Sequence, residues 1–279
     1  MTPAQSTRPA VAVVKVGGDV LASPDQLRGL GDNLNDLLAA GRQCVVMHGA
    51  GPQLAELQSL YGVPENKVAG RRITGPQELR MVKQALCGEA NVDLVSALRA
   101  TGVAAFGCHG ASGGLIKAVR RPPRQMAPDS DPIDFGLVGD VVDVNTALLH
   151  GLLELRQVPV IASLGISHAA EVFNINADTT AIAVAQALHA ECLIMTTAVG
   201  GIFRDLSKPD SRIAKLNSAD AKLLIAEGVI KGGMVAKVEE AFNALQGGVG
   251  MVAITDALPG RFISAIGETG DSGTLLVRH

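Results

Sequence analysis

Aromatic residues are the scarcest material in this 279-residue chain: no tryptophan, one tyrosine and six phenylalanines, 3% in all. That shortage excludes a surface for stacking nucleic-acid bases, which needs several exposed rings. Cysteine is nearly as sparse. Cys44, Cys87, Cys108 and Cys192 lie far apart, with no CxxC pair and no histidine-rich spacing. The pattern indicates no metal site and fits a reducing, cytoplasmic setting, although counting alone does not decide a disulfide. Charge is thin and balanced, 24 Lys and Arg against 27 Asp and Glu. A net charge of −3 gives no general attraction to polyanions, so any phosphate must be handled locally. No apolar run approaches the roughly 20 residues of a membrane span. The opening MTPAQSTRPA also lacks the apolar core of a signal peptide.

What is abundant is small and aliphatic. Hydrophobic residues make up 47% of the chain and there are 32 glycines, so the core must be built from Ala, Val, Leu and Ile. The length suits one large α/β domain or two lobes. Short β-branched runs recur, each ending in glycine and followed by a helical pattern. VAVVKVGG (11–18) leads to a helix from about Pro24 to Ala40, stopped by Gly41. CVVMHGAGPQ leads to another helix opened by Pro52, and VAAFGCHG (103–110) is a third such unit. Pro76 opens a long helix running towards Ala100. LVGDVVDV, VPVIASLG, CLIMT, GMVAITDA and SGTLLVR read as further strands. The alternation predicts an α/β, three-layer αβα sandwich with a mostly parallel central sheet. RRPPRQMAPDSDPIDFG (120–136) reads as a surface loop or hairpin, and it and Gly165–Ser167 are the plausible lobe boundaries.

Several positions carry chemistry in this pattern. Lys15 interrupts an apolar strand just before Gly17 and Gly18; it is either a snorkelling lysine or an ammonium aimed at phosphate. Gly49, Ala50 and Gly51 leave N–H groups free for an anion, and His48 before them reads as structural rather than as a base. In NKVAGRRITG, Arg71 and Arg72 should face opposite ways on a strand, so only one can meet a ligand. FNINADTTA starts a helix at which Asp178 could cap or could hold cations. GGMVAKVEEAFNALQGG places Lys237 in the first turns of another.

Taken in order, VVKVGG, HGAGPQ, GRRIT, FGLVGDVVDVN, VPVIASLG, FNINADTTA and GGMVAKVEEA resemble the amino-acid kinase family over Val11 to Arg278. VGDVVDVN and NINAD with GGMVAK point to its acetylglutamate branch, which phosphorylates the side-chain carboxylate of N-acetyl-L-glutamate in arginine synthesis. The resemblance implies ATP, Mg²⁺ held mainly by phosphates, and no dedicated protein metal site. It implies that Lys15 and Lys237 neutralise the transferred and leaving phosphates and that Asp178 orients both ammonium groups. Gly49, Ala50 and Gly51, with Arg72 and Asn174, would hold the acyl substrate. Gly18, Thr197, Ala198, Gly200, Gly201, Val229, Lys231 and Met234 would meet the nucleotide. An acyl-substrate lobe would span about 11–165 and a nucleotide lobe about 166–279. The alternatives are a kinase for carrier-bound α-aminoadipate or aspartate, or a catalytically silent amino-acid-binding regulator. Arginine-inhibited relatives form hexamers through an N-terminal helix. The two prolines and missing apolar period of residues 1–10 argue against one here, so a homodimer with little arginine inhibition is expected. Three departures stand out: Ala50 for glycine, Ala198 for aspartate, and Ser112–Gly113 where the family often has GxDG.

Overall fold

The strand Val11–Val16 (β1) is buried along its whole length, Lys15 included. The structure, a computed structural model, describes residues 9–68, 71–126, 130–267 and 270–278. The expectation of no N-terminal helix falls largely on residues 1–8, outside the described residues. After β1, a one-turn helix Gly18–Leu21 (α1) leads into Pro24–Ala39 (α2), which ends ahead of Gly41 at φ 81°. Gln43–His48 (β2) and Gly51–Leu60 (α3) repeat the layout. A hairpin of two-residue strands follows, Lys67–Val68 (β3) and Arg71–Arg72 (β4). Then come Pro76–Lys83 (α4), Asn91–Ala100 (α5), Ala105–His109 (β5), Ile116–Arg120 (β6) and Gly139–Val144 (β7). Thr146–Glu154 (α6), Val158–Ala162 (β8), Leu164–Ile166 (β9), Val172–Asn174 (β10), Ala177–Ala187 (α7) and Cys192–Thr196 (β11) continue the chain. Lys215–Leu216 (β12), Ser218–Ala226 (α8), Gly233–Gln246 (α9), Met251–Thr255 (β13), Arg261–Ile266 (α10) and Thr274–Leu276 (β14) complete it.

Eight strands form one sheet in the order β12-β14-β13-β11-β1-β2-β8-β5. Every neighbouring pair is parallel except β13 with β14, so the expected mostly parallel sheet is present. Its two faces are sorted by the two-residue period of the strands. Val11, Val13, Val45, Met47, Leu193 and Met195 pack under α6, α7, α8 and α9; Ala12, Val14, Cys44, Val46 and Ile194 pack under α2, α5 and α10. Lys15 continues the first set and His48 the second. Burying an uncompensated ammonium costs several kcal/mol, so Lys15 requires an anion from the helices that cover its face.

Two features depart from the sequence reading. A second sheet, β10-β9-β6-β7, was not foreseen: of its strands only β7 reads as one by itself, and β9 lies where a lobe boundary is expected. The long helix after Pro76 is also not uniform: Gln84–Ala90, between α4 and α5, is π-helical. The excursion at 120–136 is only partly superficial, since Arg121 and Phe135 are buried. The four cysteines are free thiols. Among the described residues no helix is long and apolar enough to cross a membrane.

Candidate active site

Three charged side chains meet where β1 ends. Lys15 Nζ lies 2.8 Å from Asp178 Oδ1, and Lys237 Nζ lies 3.3 Å from Oδ2 of the same carboxylate. Lys15 comes from the sheet, Asp178 from the first turn of α7 and Lys237 from α9, and α7 packs against both β1 and α9. The side chains are 10%, 17% and 16% exposed, so solvent screens them little. Burial pushes the Asp178 carboxyl up, but the two ammonium groups more than offset it and hold the group below its ordinary range. Lys237 is pushed down by burial and by the charge of Lys15, against the pull of Asp178. Both shifts follow from one arrangement. Two cations share one anion, and the surplus positive charge resists a further proton while attracting an external anion.

The helix start that places Asp178 works differently from the sequence expectation. Asn176, not Asp178, is the N-cap: its Oδ1 accepts from Asp178 N at 2.8 Å and from Thr179 N at 3.1 Å. Asp178 is thereby left free for the lysines. The correction turns on one or two residues in where the helix begins, in a turn holding three Asn or Asp side chains.

The triad opens on a cavity of about 590 Å³. Two glycine turns form one rim. Gly17 N donates to Thr196 Oγ1 at 3.0 Å, tying the end of β1 to β11. A methyl on Gly18 would lie 2.5 Å from Pro52 Cδ, so the first turn can pack on the second only as glycine. Gly49, Ala50 and Gly51 line the same cavity. Ala50 has a negative φ of −145°, so the turn makes no use of glycine's left-handed freedom there, and Ala50 packs in one apolar cluster with Leu54, Met81 and Val82. His48 proves structural. It donates from Nδ1 to Gly49 O at 3.0 Å and accepts at Nε2 from Asn91 Nδ2 at 2.8 Å, and burial pushes its pKa down to about 4.

Arg72 and Asn174 line the same cavity. Arg72 donates to Gln58 Oε1 and to Glu65 Oε1, both at 2.6 Å, and Asn174 Nδ2 donates to Thr74 Oγ1 at 3.1 Å. Arg71 and Arg72 both line this cavity, contrary to the expectation that only one could face a ligand. A two-residue strand in a hairpin does not force its long side chains apart as a sheet would. Lys67, Arg121, Asp19 and Glu240 line it too and were missed. Glu240 was accessible to reasoning, since it follows Lys237 by three positions on one helix face. Burial and the Asp178 charge raise its carboxyl. Arg121, in irregular chain, carries no periodic signal.

The expected nucleotide residues are divided. Gly18 lines the cavity with the triad; Thr197, Ala198, Gly200, Gly201, Val229, Lys231 and Met234 do not. They lie beyond the end of β11, in the turn before α9 and, for Met234, in the first turn of α9. Thr197 N donates to Thr255 O at 2.8 Å, Gly200 N donates to Thr197 Oγ1 at 3.2 Å, and Met234 N donates to Lys231 O at 3.3 Å. Ala198 is exposed, and the carboxylate beside this loop is Asp256, against which a side chain at Gly200 would collide. Ser112 closes the turn after β5 by accepting from His109 N at 3.3 Å.

The sequence profile of the amino acid kinase family matches residues 10–256. Acetylglutamate kinase from Anaeromyxobacter dehalogenans (strain 2CP-C) is 43% identical over 266 residues, 95% of this chain and 98% of that one. The acetylglutamate kinase of Sorangium cellulosum (strain So ce56) is 42% identical over 267 residues, covering 95% and 94%. A crystal structure from Streptococcus mutans UA159 superposes with a TM-score of 0.76 at 31% identity, over 96% of this chain and 99% of that one.

Proposed function

This chain belongs to the amino acid kinase family, and from that membership we propose that it transfers the γ-phosphoryl group of ATP to the side-chain carboxylate of N-acetyl-L-glutamate, giving an acyl phosphate for arginine biosynthesis. The observation that carries the proposal is the Lys15–Asp178–Lys237 triad lining one cavity with Arg72 and Asn174. The acceptor carboxylate, with a pKa of about 4.3, is ionised at neutral pH and needs no general base. Its oxygen attacks the γ-phosphorus as the bond to the β-phosphate oxygen breaks. Charge then moves from the attacking oxygen to the leaving one, and catalysis is mainly positioning and neutralisation.

Each residue has a part in that step. Lys15, at the strand end, lies against the transferred group, and Lys237 against the leaving phosphates. Asp178 keeps both ammonium groups pointed at the reaction axis without becoming a proton acceptor itself. N–H groups of Gly18 and of the Gly49–Ala50–Gly51 turn donate to phosphoryl oxygens. Arg72 and Asn174 grip the α-carboxylate. Thr197, Ala198, Gly200, Gly201, Val229, Lys231 and Met234 form the surface over which the nucleotide base and ribose extend, with Asp256 as the carboxylate beside it.

The donor set suits Mg²⁺ that arrives with the nucleotide. Asp178 is committed to two lysines, and no three His, Cys, Asp or Glu side chains converge among the described residues. The cation would be held by phosphate oxygens and water and would lessen the charge of the transferred group. Residues of about 11–165 would form the acyl lobe and 166–279 the nucleotide lobe, in a cytoplasmic homodimer. The open edge of the sheet at β5, where Phe106 is 43% exposed, supports pairing with a second copy.

Hydroxylamine trapping with ATP and Mg²⁺ over a panel of acidic amino acids and their N-acetyl forms tests the assignment. N-acetyl-L-glutamate should give the highest rate of hydroxamate formation. Equal or faster turnover of aspartate or free glutamate would move the chain to another branch of the family, and no turnover of any acceptor would leave a binding protein.

A further inference from the structure

Arg121 is a buried guanidinium that the phosphoryl transfer described above leaves unused. It follows β6 and is 6% exposed. Its Nε donates to Asp140 Oδ1 at 2.8 Å, and its Nη2 lies 2.7 Å from the same oxygen. The other oxygen of Asp140 is taken by Arg124 Nη2 at 3.1 Å. Two guanidiniums thus share one carboxylate, and the group keeps a net positive charge. Nη1 of Arg121 makes no hydrogen bond among the described residues, and the side chain lines the cavity. Nη1 is not among the buried unpartnered atoms, so this edge opens on the cavity, where a ligand acceptor can take the place of water.

The backbone neighbours of Arg121 tie it to the assigned acyl residues. Its backbone N donates to Val138 O at 2.8 Å, and Val138 is bridged to Asn174. Asn174 in turn donates to Thr74, two residues beyond Arg72. Val138, Asn174, Arg72 and Arg121 all line the cavity, and the backbone links through Val138 put Arg121 near Asn174, one of the groups assigned to the α-carboxylate.

An N-acylated acidic amino acid brings three polar groups to this cavity. Its reacting carboxylate goes to the triad and its α-carboxylate to Arg72 and Asn174, which leaves the amide. Resting on the acceptor assignment above, we propose that Arg121 determines specificity by donating from its free edge to the carbonyl oxygen of the N-acyl group. A free amino acid carries an ammonium at that position, which can only donate and bears the same sign of charge as the arginine cluster. One side chain would then both attract the acylated substrate and repel the unacylated one, discrimination by contact and by countermeasure together.

Calorimetric titration without ATP, alongside steady-state kinetics, separates this from a merely structural arginine. The wild-type chain, Arg121→Met and Arg121→Lys would each be titrated with N-acetyl-L-glutamate and with L-glutamate. Arg121→Met should weaken N-acetylglutamate binding at least tenfold while leaving glutamate binding unchanged or tighter, with the KM for ATP unaltered. Arg121→Lys keeps the charge and a partner for Asp140 but loses the fork, so its loss should fall between the two. It also serves if the methionine variant does not fold. Equal weakening of both ligands, or a lower melting temperature with the ratio intact, would overturn the proposal and return Arg121 to a structural role. If the wild-type chain itself does not prefer N-acetylglutamate, the acceptor assignment fails first, and the two failures are told apart by the wild-type titration alone.

Discussion

Lys15 and His48 stand at the same end of the sheet, on neighbouring strands paired in register through Lys15 with Met47 and Val16 with His48. Both are buried, both precede a glycine turn, and each lies on the opposite face from the other. The protein deals with the two in different ways. Lys15 meets a carboxylate that it shares with a second lysine, beside an open cavity. His48 is enclosed, gives one ring proton to a backbone carbonyl, takes an amide proton from Asn91 and is pushed to a pKa of about 4. A buried basic group can be matched by an anion or held neutral. Only the first arrangement leaves a field that acts on a phosphate; the second gives rigidity to the turn that follows.

The comparison breaks most visibly on its charged side. Asp178→Asn keeps the shape but removes the charge between Lys15 and Lys237. Losing one preorganised electrostatic element costs about 3 kcal/mol, a fall in kcat on the order of a hundredfold or more, with smaller changes in either KM. The carboxylate also opposes the burial that lowers Lys237, so the alkaline limb of the pH–rate profile should move to lower pH in the variant. Saturating-substrate assays across pH measure both. A kcat near that of the wild type would remove Asp178 from the mechanism.

The neutral side is tested with acid. His48 has a folded pKa of about 4 against an ordinary 6.5, so between these values the unfolded chain binds more protons than the folded one. Its contribution to stability is therefore fully present above pH 6.5 and is lost as pH falls towards 4. Over that window the loss amounts to about 3 kcal/mol at most, since each tenfold difference in proton affinity between the two states is worth roughly 1.4 kcal/mol. Denaturant titrations of wild type and His48→Gln at several pH values should show that the variant, whatever its stability at pH 7, loses less between pH 6.5 and 4. The same slope in both chains would show that His48 is not held neutral by the fold.

How much of this could be read in advance depended on how local each signal was. Lys15 is conspicuous because it breaks a continuous apolar run, and Lys237 because glycines mark the helix start just before it. The mostly parallel sheet followed from strands that alternate with helices. The second sheet did not, because β9 and β10 have three residues each and the pairing that joins them to β6 spans about fifty positions, Ile166 with Lys117. Arg121 was not legible for a related reason. A loop has no period, and what buries this arginine is Asp140, nineteen positions on and across a strand pairing. The π-helical turn before Asn91 was likewise hidden, since an i to i+5 bond leaves little trace in an apolar pattern.

The smallest expected effect sharpens the comparison from beside the triad. Asn176 and Asp178 are two positions apart in the same turn, and the sequence reading considers only Asp178 as the cap of α7. The structure gives the capping bonds to Asn176 and the lysines to Asp178. Asn176→Ala should therefore cost about 1 kcal/mol of stability, the usual value for an N-cap. Its kcat should change by far less than that of Asp178→Asn, because the charge between the lysines stays in place. Asp178→Asn should do the reverse, since the cap remains while the charge is gone. Thermal melts and saturating-substrate assays on the two variants together give a crossed result, stability lost in one and rate in the other. If Asn176→Ala instead lost rate on the scale of the aspartate variant, the first turn of α7 would act as a single unit, and the division of labour between cap and carboxylate would have to be abandoned.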